Sequence, residues 1–157
     1  MEYRLEKKEL FAIKGISKKV TTENDENFKM IPQFWNQVLN DGTFEKMLET
    51  SESKVSYGIC AEFNEQSKTF VYGIGVDDYG QDSYQSFSIP ASTWAVFTSV
   101  GKLPEAIQNV TKRIFNEWFP ATDFEHAIGP ELEVYLPGDP SKDDYRCEVW
   151  IPVKSIL

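Results

Sequence analysis

Two short stretches near the C-terminus carry the residues best suited to chemistry, "LEVYLPGD" (132–139) and "CEVWIPV" (147–153). In the first, Glu133 precedes Tyr135 by two positions; in the second, Glu148 precedes Trp150 by two. Both stretches alternate like β-strands. Glu133 and Tyr135 therefore share one face, with Leu132, Val134 and Leu136 on the other. Glu148 and Trp150 likewise share a face opposite Cys147, Val149 and Ile151. If the strands pair as a hairpin across "DPSKDD" (139–144), both acid–aromatic pairs are expected on one side. A carboxylate among aromatic rings is a receptor for an organic cation. Each ring contributes a cation–π contact of about 0.5–2 kcal/mol, and a desolvated carboxylate adds electrostatic attraction. An ionised glutamate alone in an apolar pocket would cost several kcal/mol or have its pKa driven upward. The period of two does not decide whether this face meets a pocket or solvent, and an outward polar face is the plainer alternative. Trp35, Trp94 and Trp118 are further candidates, as walls of a cavity or as ordinary core.

Other chemistries are excluded or weakened. His126 is the only histidine, so no multi-histidine metal site can form, and in "FEHAIGP" (124–130) it is expected to be a solvated loop residue. No nucleophile elbow accompanies it for a Ser–His–Asp triad. "GIGVDDYG" (73–80) has neither the GxGxxG spacing nor a P-loop lysine. No metal, cofactor or catalytic residue is therefore assigned. The chain carries 25 acidic against 16 basic residues, a net charge of −9. That surface repels phosphate backbones and anionic lipid, so direct nucleic-acid or membrane binding is not expected. Cys60 and Cys147 lie in apolar strand patterns and are expected to be reduced and buried. No apolar run approaches a membrane span, and "MEYRLEKKELFAIKG" lacks the apolar centre of a signal peptide; the expected location is the cytoplasm.

The elements that must position these residues recur in the same order. A strand around Leu10–Ile16 precedes a helix over 31–42, where Ile31, Phe34, Trp35, Val38 and Leu39 mark one face. Pro32 suits its first turn and Gly42 its stop. A short helical turn (44–49) and strands at 55–63 and 69–77 follow. After a polar connector (78–85) come a strand over 86–101 and a helix over 103–120. That helix has Pro104 at its start, Pro120 past its end, and Ile107, Val110, Ile114 and Trp118 on one face. Strands at 131–138 and 146–153 close the chain. The helix-start prolines lie 72 positions apart, so the halves are nearly equal. The expected fold class is α+β: duplicated strand–helix–strand–strand units, about 1–78 and 85–157, forming one antiparallel sheet with two helices on one face. The 157 residues are expected to form a single domain.

This order, closed by Glu-x-Tyr in "LEVYLPGD" and Glu-x-aromatic-x-Pro in "CEVWIPV", resembles the GyrI-like small-molecule-binding family over about residues 3–154. That family includes effector-binding domains of bacterial AraC-type and MerR-type transcription regulators, and free-standing members. The resemblance implies a concave sheet, a central cleft between the helices, and an acidic residue there that binds lipophilic, often cationic compounds of multidrug type. Carried onto this chain, Glu133 is the acid and Tyr135 a wall or hydroxyl donor. Glu148 and Trp150 become secondary contacts, and Trp94, Trp118 and Trp35 linings that no motif fixes. The sequence begins directly at the first strand; taken as the full protein, it is expected to be a stand-alone binder or scavenger, or a modulator of a partner protein, rather than a DNA-binding regulator. Two alternatives come with the resemblance. One is a protein partner, as in free-standing relatives that inhibit DNA gyrase. The other is hydrolysis of reactive ring-containing toxins, with a pocket glutamate as general base.

Overall fold

The computed structural model describes residues 1–78 and 84–157; most of the polar connector lies outside the described residues. Strands β1 (Tyr3–Lys8) and β2 (Phe11–Thr21) lead to helices α1 (Asn27–Asn40) and α2 (Thr43–Glu49) and strands β3 (Ser56–Asn64) and β4 (Thr69–Asp77). Strands β5 (Gln85–Ile89) and β6 (Ser92–Val100) then lead to helix α3 (Glu105–Arg113). Helix α3 runs on through a π-type turn (Ile114–Trp118) and a last turn (Phe119–Ala121). Strands β7 (Phe124–His126), β8 (Glu131–Tyr135) and β9 (Arg146–Ser155) complete the order. All pairings are antiparallel, in the order β1-β6-β9-β8-β3-β4-β2-β5, with β7 on β9. The α+β class and its duplicated order stand as expected from the sequence.

The first half has one strand more than the sequence pattern predicts, β1, and the second half has two, β7 and one from the division of the strand expected over 86–101. Strand β1 lies ahead of the strand expected around Leu10–Ile16, from which Glu9–Leu10 separates it, and the long strand expected over 86–101 is broken at Pro90–Ala91. Proline cannot donate to a ladder, which accounts for that break. The leading strands are exchanged between halves: β1 pairs with β6, and β5 pairs with β2. This exchange dictates the shape of the sheet. In a flat sheet the six strand intervals from β1 to β2 would span about 29 Å. The two-residue link between them reaches only about 11 Å. The sheet must curl until its ends meet.

The core agrees with that curl. One cluster, including Ile13, Ile59, Ile89, Trp94, Leu132 and Trp150, is built from strands only and is buried without any helix over it. It fills the inside of the curl. The helices occupy the other, outer face. There α1 and α2 pack Phe34, Val38 and Met47 against Phe70, Tyr72 and Ile74, while α3 and its extension pack Ile107, Ile114 and Trp118 against Phe97, Tyr135 and Val149. The concavity implied by the family resemblance therefore faces away from the helices. No described helix is long and apolar enough to cross a membrane.

Pro104 stands at the start of α3 as expected, but Pro32 and Pro120 are displaced from the expected positions. Helix α1 begins a turn early, at Asn27, so Pro32 sits inside it. Proline has no N–H to give the carbonyl four residues back, which is that of Phe28. That carbonyl instead accepts from Gln108 Nε2 of α3 at 3.1 Å, and Lys112 Nζ lies 4.6 Å from the centre of the Phe28 ring. A defect in one helix thus becomes a tie to the other. Gln108→Leu is expected to cost about 1–2 kcal/mol, since it leaves a partly buried carbonyl unpaired, and a chemical denaturation midpoint measures it. Unchanged stability would mean that water replaces the amide. Pro120 likewise lies within the final helical turn rather than past it.

Candidate ligand-binding site

The middle of the sheet, where β8 of the second half meets β3 of the first, lies between the two helix-covered regions. Glu133 stands there on β8, on the helix side, opposite Gly58 of β3. Its carboxyl oxygen Oε1 accepts from the Tyr72 hydroxyl, and from the Tyr135 hydroxyl at 2.9 Å. Tyr72 in turn accepts from Trp35 Nε1 at 2.8 Å. The Trp35 ring meets Tyr135 edge-on, 5.1 Å between centres, and Phe44 at 5.6 Å. Tyr72 is fully buried and Tyr135 nearly so, whereas Glu133 and Trp35 are only half-buried. The result is a half-buried carboxylate fixed by two tyrosine hydroxyls, with an indole beside it.

Gly58 makes this arrangement sterically possible. A Cβ there would overlap both Glu133 Oε1 and the Tyr72 hydroxyl, because the Tyr72 ring crosses diagonally over Gly58 to reach β8. The small residue is required for space, not for backbone conformation.

The electrostatics follow from the burial. Desolvation raises the Glu133 pKa, and the hydrogen bonds from Tyr72 and Tyr135 offset part of that rise. Burial, followed by the nearby Glu133 charge, pushes both tyrosines well above their ordinary value, so they remain neutral donors. The half-buried Cys60 thiol is raised in the same way, first by burial and then by Glu133 and Glu131.

Of the sequence candidates, the structure gathers Glu133, Tyr135 and Trp35. Glu148 and Trp150 are on the other side of the sheet, contrary to the expectation of a shared face. The register pairs Glu133 with Val149 and Val134 with Glu148, and paired residues project to the same face. A slip of one residue would have reversed this. Glu148 accepts from Trp150 Nε1 at 3.1 Å and pairs with Arg4 Nη1 at 2.9 Å. Trp94, fully buried, packs against Trp150 inside the curl. Trp118 is on the helix side but serves as core, wedged among Tyr3, Phe97, Phe119 and Phe124. Tyr72 was absent from the candidates, although a tyrosine in the otherwise apolar "VYGIGV" is the one signal that marks it.

His126 is not a solvated loop residue. It belongs to β7, with Nε2 at 2.8 Å from Glu131 Oε2 and Nδ1 at 2.6 Å from the Ala127 carbonyl. Glu131 lies two residues before Glu133 and so on the same, helix-side face of β8. Both residues line a cavity of about 650 Å³ with Phe63, Phe70, Lys68 and the turn at Thr22–Asn24.

The family of integron-associated effector binding proteins, Cass2, matches residues 4–153. No functionally curated protein matches the chain. Among solved structures, SAV2435 bound to tetraphenylphosphonium is 23% identical with a TM-score of 0.83, covering 98% of this chain and 94% of that one. The integron cassette protein VCH_CASS2 of Vibrio cholerae is 15% identical with a TM-score of 0.72, covering 97% and 95%. The EcmrR C-terminal domain is 16% identical with a TM-score of 0.59, covering 98% of each. At these identities the likeness is one of fold.

Proposed function

The chain belongs to the Cass2 family of integron-associated effector binding proteins, and from that premise we propose that it binds lipophilic organic cations at Glu133. The observation that carries this reading is a half-buried carboxylate held by two neutral tyrosine hydroxyls beside an indole. Glu133 supplies the counter-charge, Tyr135 and Tyr72 hold it in place, and Trp35 offers a ring to the ligand. That a protein of the same fold is bound to tetraphenylphosphonium supports the choice of that cation as probe. Tetraphenylphosphonium should quench tryptophan fluorescence and bind more tightly than the neutral, aromatic triphenylphosphine oxide. Equal affinity for the two, or no binding of the cation, would sink the reading.

The raised Glu133 pKa adds a pH signature. A cation favours the ionised carboxylate, so affinity should rise with pH through the folded-state pKa of Glu133 and level off above it. Within that window binding should release a proton, detectable by calorimetry in buffers of different ionisation enthalpy. A pH-independent affinity would contradict Glu133 as the counter-charge. We infer binding without turnover, and incubation with strained electrophilic ring compounds should leave them unchanged. A Glu133-dependent product would replace this reading with a hydrolase.

A further inference from the structure

The second carboxylate on the helix-side face of β8 has no role in the reading above. Glu131 and Glu133 are separated by one residue of an extended strand, a Cα spacing of about 7 Å. Glu131 opens onto the cavity that also holds the stacked rings of Phe63 and Phe70, 5.3 Å apart, with Phe63 half exposed. The groove therefore offers a carboxylate, an aromatic wall and room next to Glu133. His126 is poised over that carboxylate. Both of its ring nitrogens face acceptors, the Glu131 carboxylate and the Ala127 carbonyl, and only the imidazolium can donate to both.

We propose, resting on the reading of Glu133 as a cation site, that the groove takes elongated aromatic dications, one charge at Glu133 and the other at Glu131, and that His126 gates the second position. As imidazolium, His126 neutralises Glu131, and of the two strand carboxylates only Glu133 is left to take a cation. As neutral imidazole, it leaves Glu131 free for a second cation.

The surroundings of His126 favour the charged form without fixing it. Burial against Phe115 and Phe119 lowers its pKa, but the Glu131 hydrogen bond, the Ala127 carbonyl and the Glu131 charge together outweigh that and raise it. Glu23, Glu65 and Lys68 are the other charged groups that line the cavity. Arg113 and Glu117, on the helical segment carrying Phe115, hold each other at 3.0 Å, and Glu125 and Lys154 beside β7 do so at 3.3 Å. The gate therefore turns on the His126–Glu131 pair.

The test uses methyl viologen, whose two cationic nitrogens are set apart by two linked rings, and its singly methylated analogue of the same shape. Affinities are measured at about pH 5.5 and about pH 8.5, on either side of the ordinary imidazole value of about 6.5. Ionisation of Glu133 affects both compounds, so the dication-to-monocation affinity ratio isolates the second position. That ratio should rise about tenfold between the two pH values. In Glu131→Gln it should be low and flat with pH, and in His126→Gln high at both. A flat ratio in the unmodified protein, or a ratio that still rises in Glu131→Gln, overturns the proposal while leaving the Glu133 site intact. Failure of both compounds to bind overturns the two together.

Discussion

Replacing Glu133 with Gln should weaken tetraphenylphosphonium at least about tenfold, a loss of about 1.4 kcal/mol or more, and triphenylphosphine oxide by less than about twofold. The substitution preserves shape and an acceptor for Tyr72 and Tyr135 while removing the charge. Equal weakening of both compounds would show that the side chain acts by packing alone. Stability should move the opposite way. Because the folded-state pKa of Glu133 is raised, its contribution to stability is present below the unfolded-chain value and lost as pH rises through the folded value. Glutamine mimics the protonated form at every pH. The variant should therefore match the parent in acid and become the more stable of the two as pH rises. A group that costs stability where the protein works is characteristic of a site kept for binding.

Gly58→Ala should be the most disruptive single-methyl change on this face. The added Cβ overlaps both Glu133 Oε1 and the Tyr72 hydroxyl, and the Tyr72 ring is fully buried, so its movement must disturb the packed core. Overpacking and the broken hydrogen bond together should cost about 2–4 kcal/mol, seen as a lower urea midpoint with unchanged slope. Cation affinity should fall with it, since the carboxylate loses the partner that orients it. Full stability and affinity in this variant would mean that the Tyr72–Glu133 bond is dispensable.

Much of this was legible in the residues themselves. Alternation placed Glu133 and Tyr135 on one face, and helical spacing put Phe34, Val38, Ile107 and Ile114 in the core. What stayed hidden depended on pairing between distant strands. Whether Glu148 joins Glu133 is decided by the register of β8 on β9, which alternation leaves free by one residue. Tyr72 reaches Glu133 only because β3 lies between their strands and carries glycine at the crossing point. The partner of His126, Glu131, is close in sequence, but a loop conformation rather than a period brings them together. Strands β5 and β6 read as one because a strand that changes partners keeps its apolar pattern through the break, while β1 is mostly charged and β7 only three residues long, too little for a period to show.

The exchange of β1 and β5 bears on how the chain becomes a folded protein. When the first half leaves the ribosome, β1 has no partner, since Tyr3 must wait for Phe97 and Lys8 for Ser92. Strand β2 likewise lacks β5 along one edge. Neither half can complete its own ladder, so the nascent chain presents open strand edges until most of it has been made. Contacts of such sequence separation close large loops and slow the search for the native arrangement. A near-repeat that looks divisible along the sequence is therefore committed to assembling as one cooperative unit, with the same exchange offering a route to pairing between neighbouring chains when synthesis outruns folding.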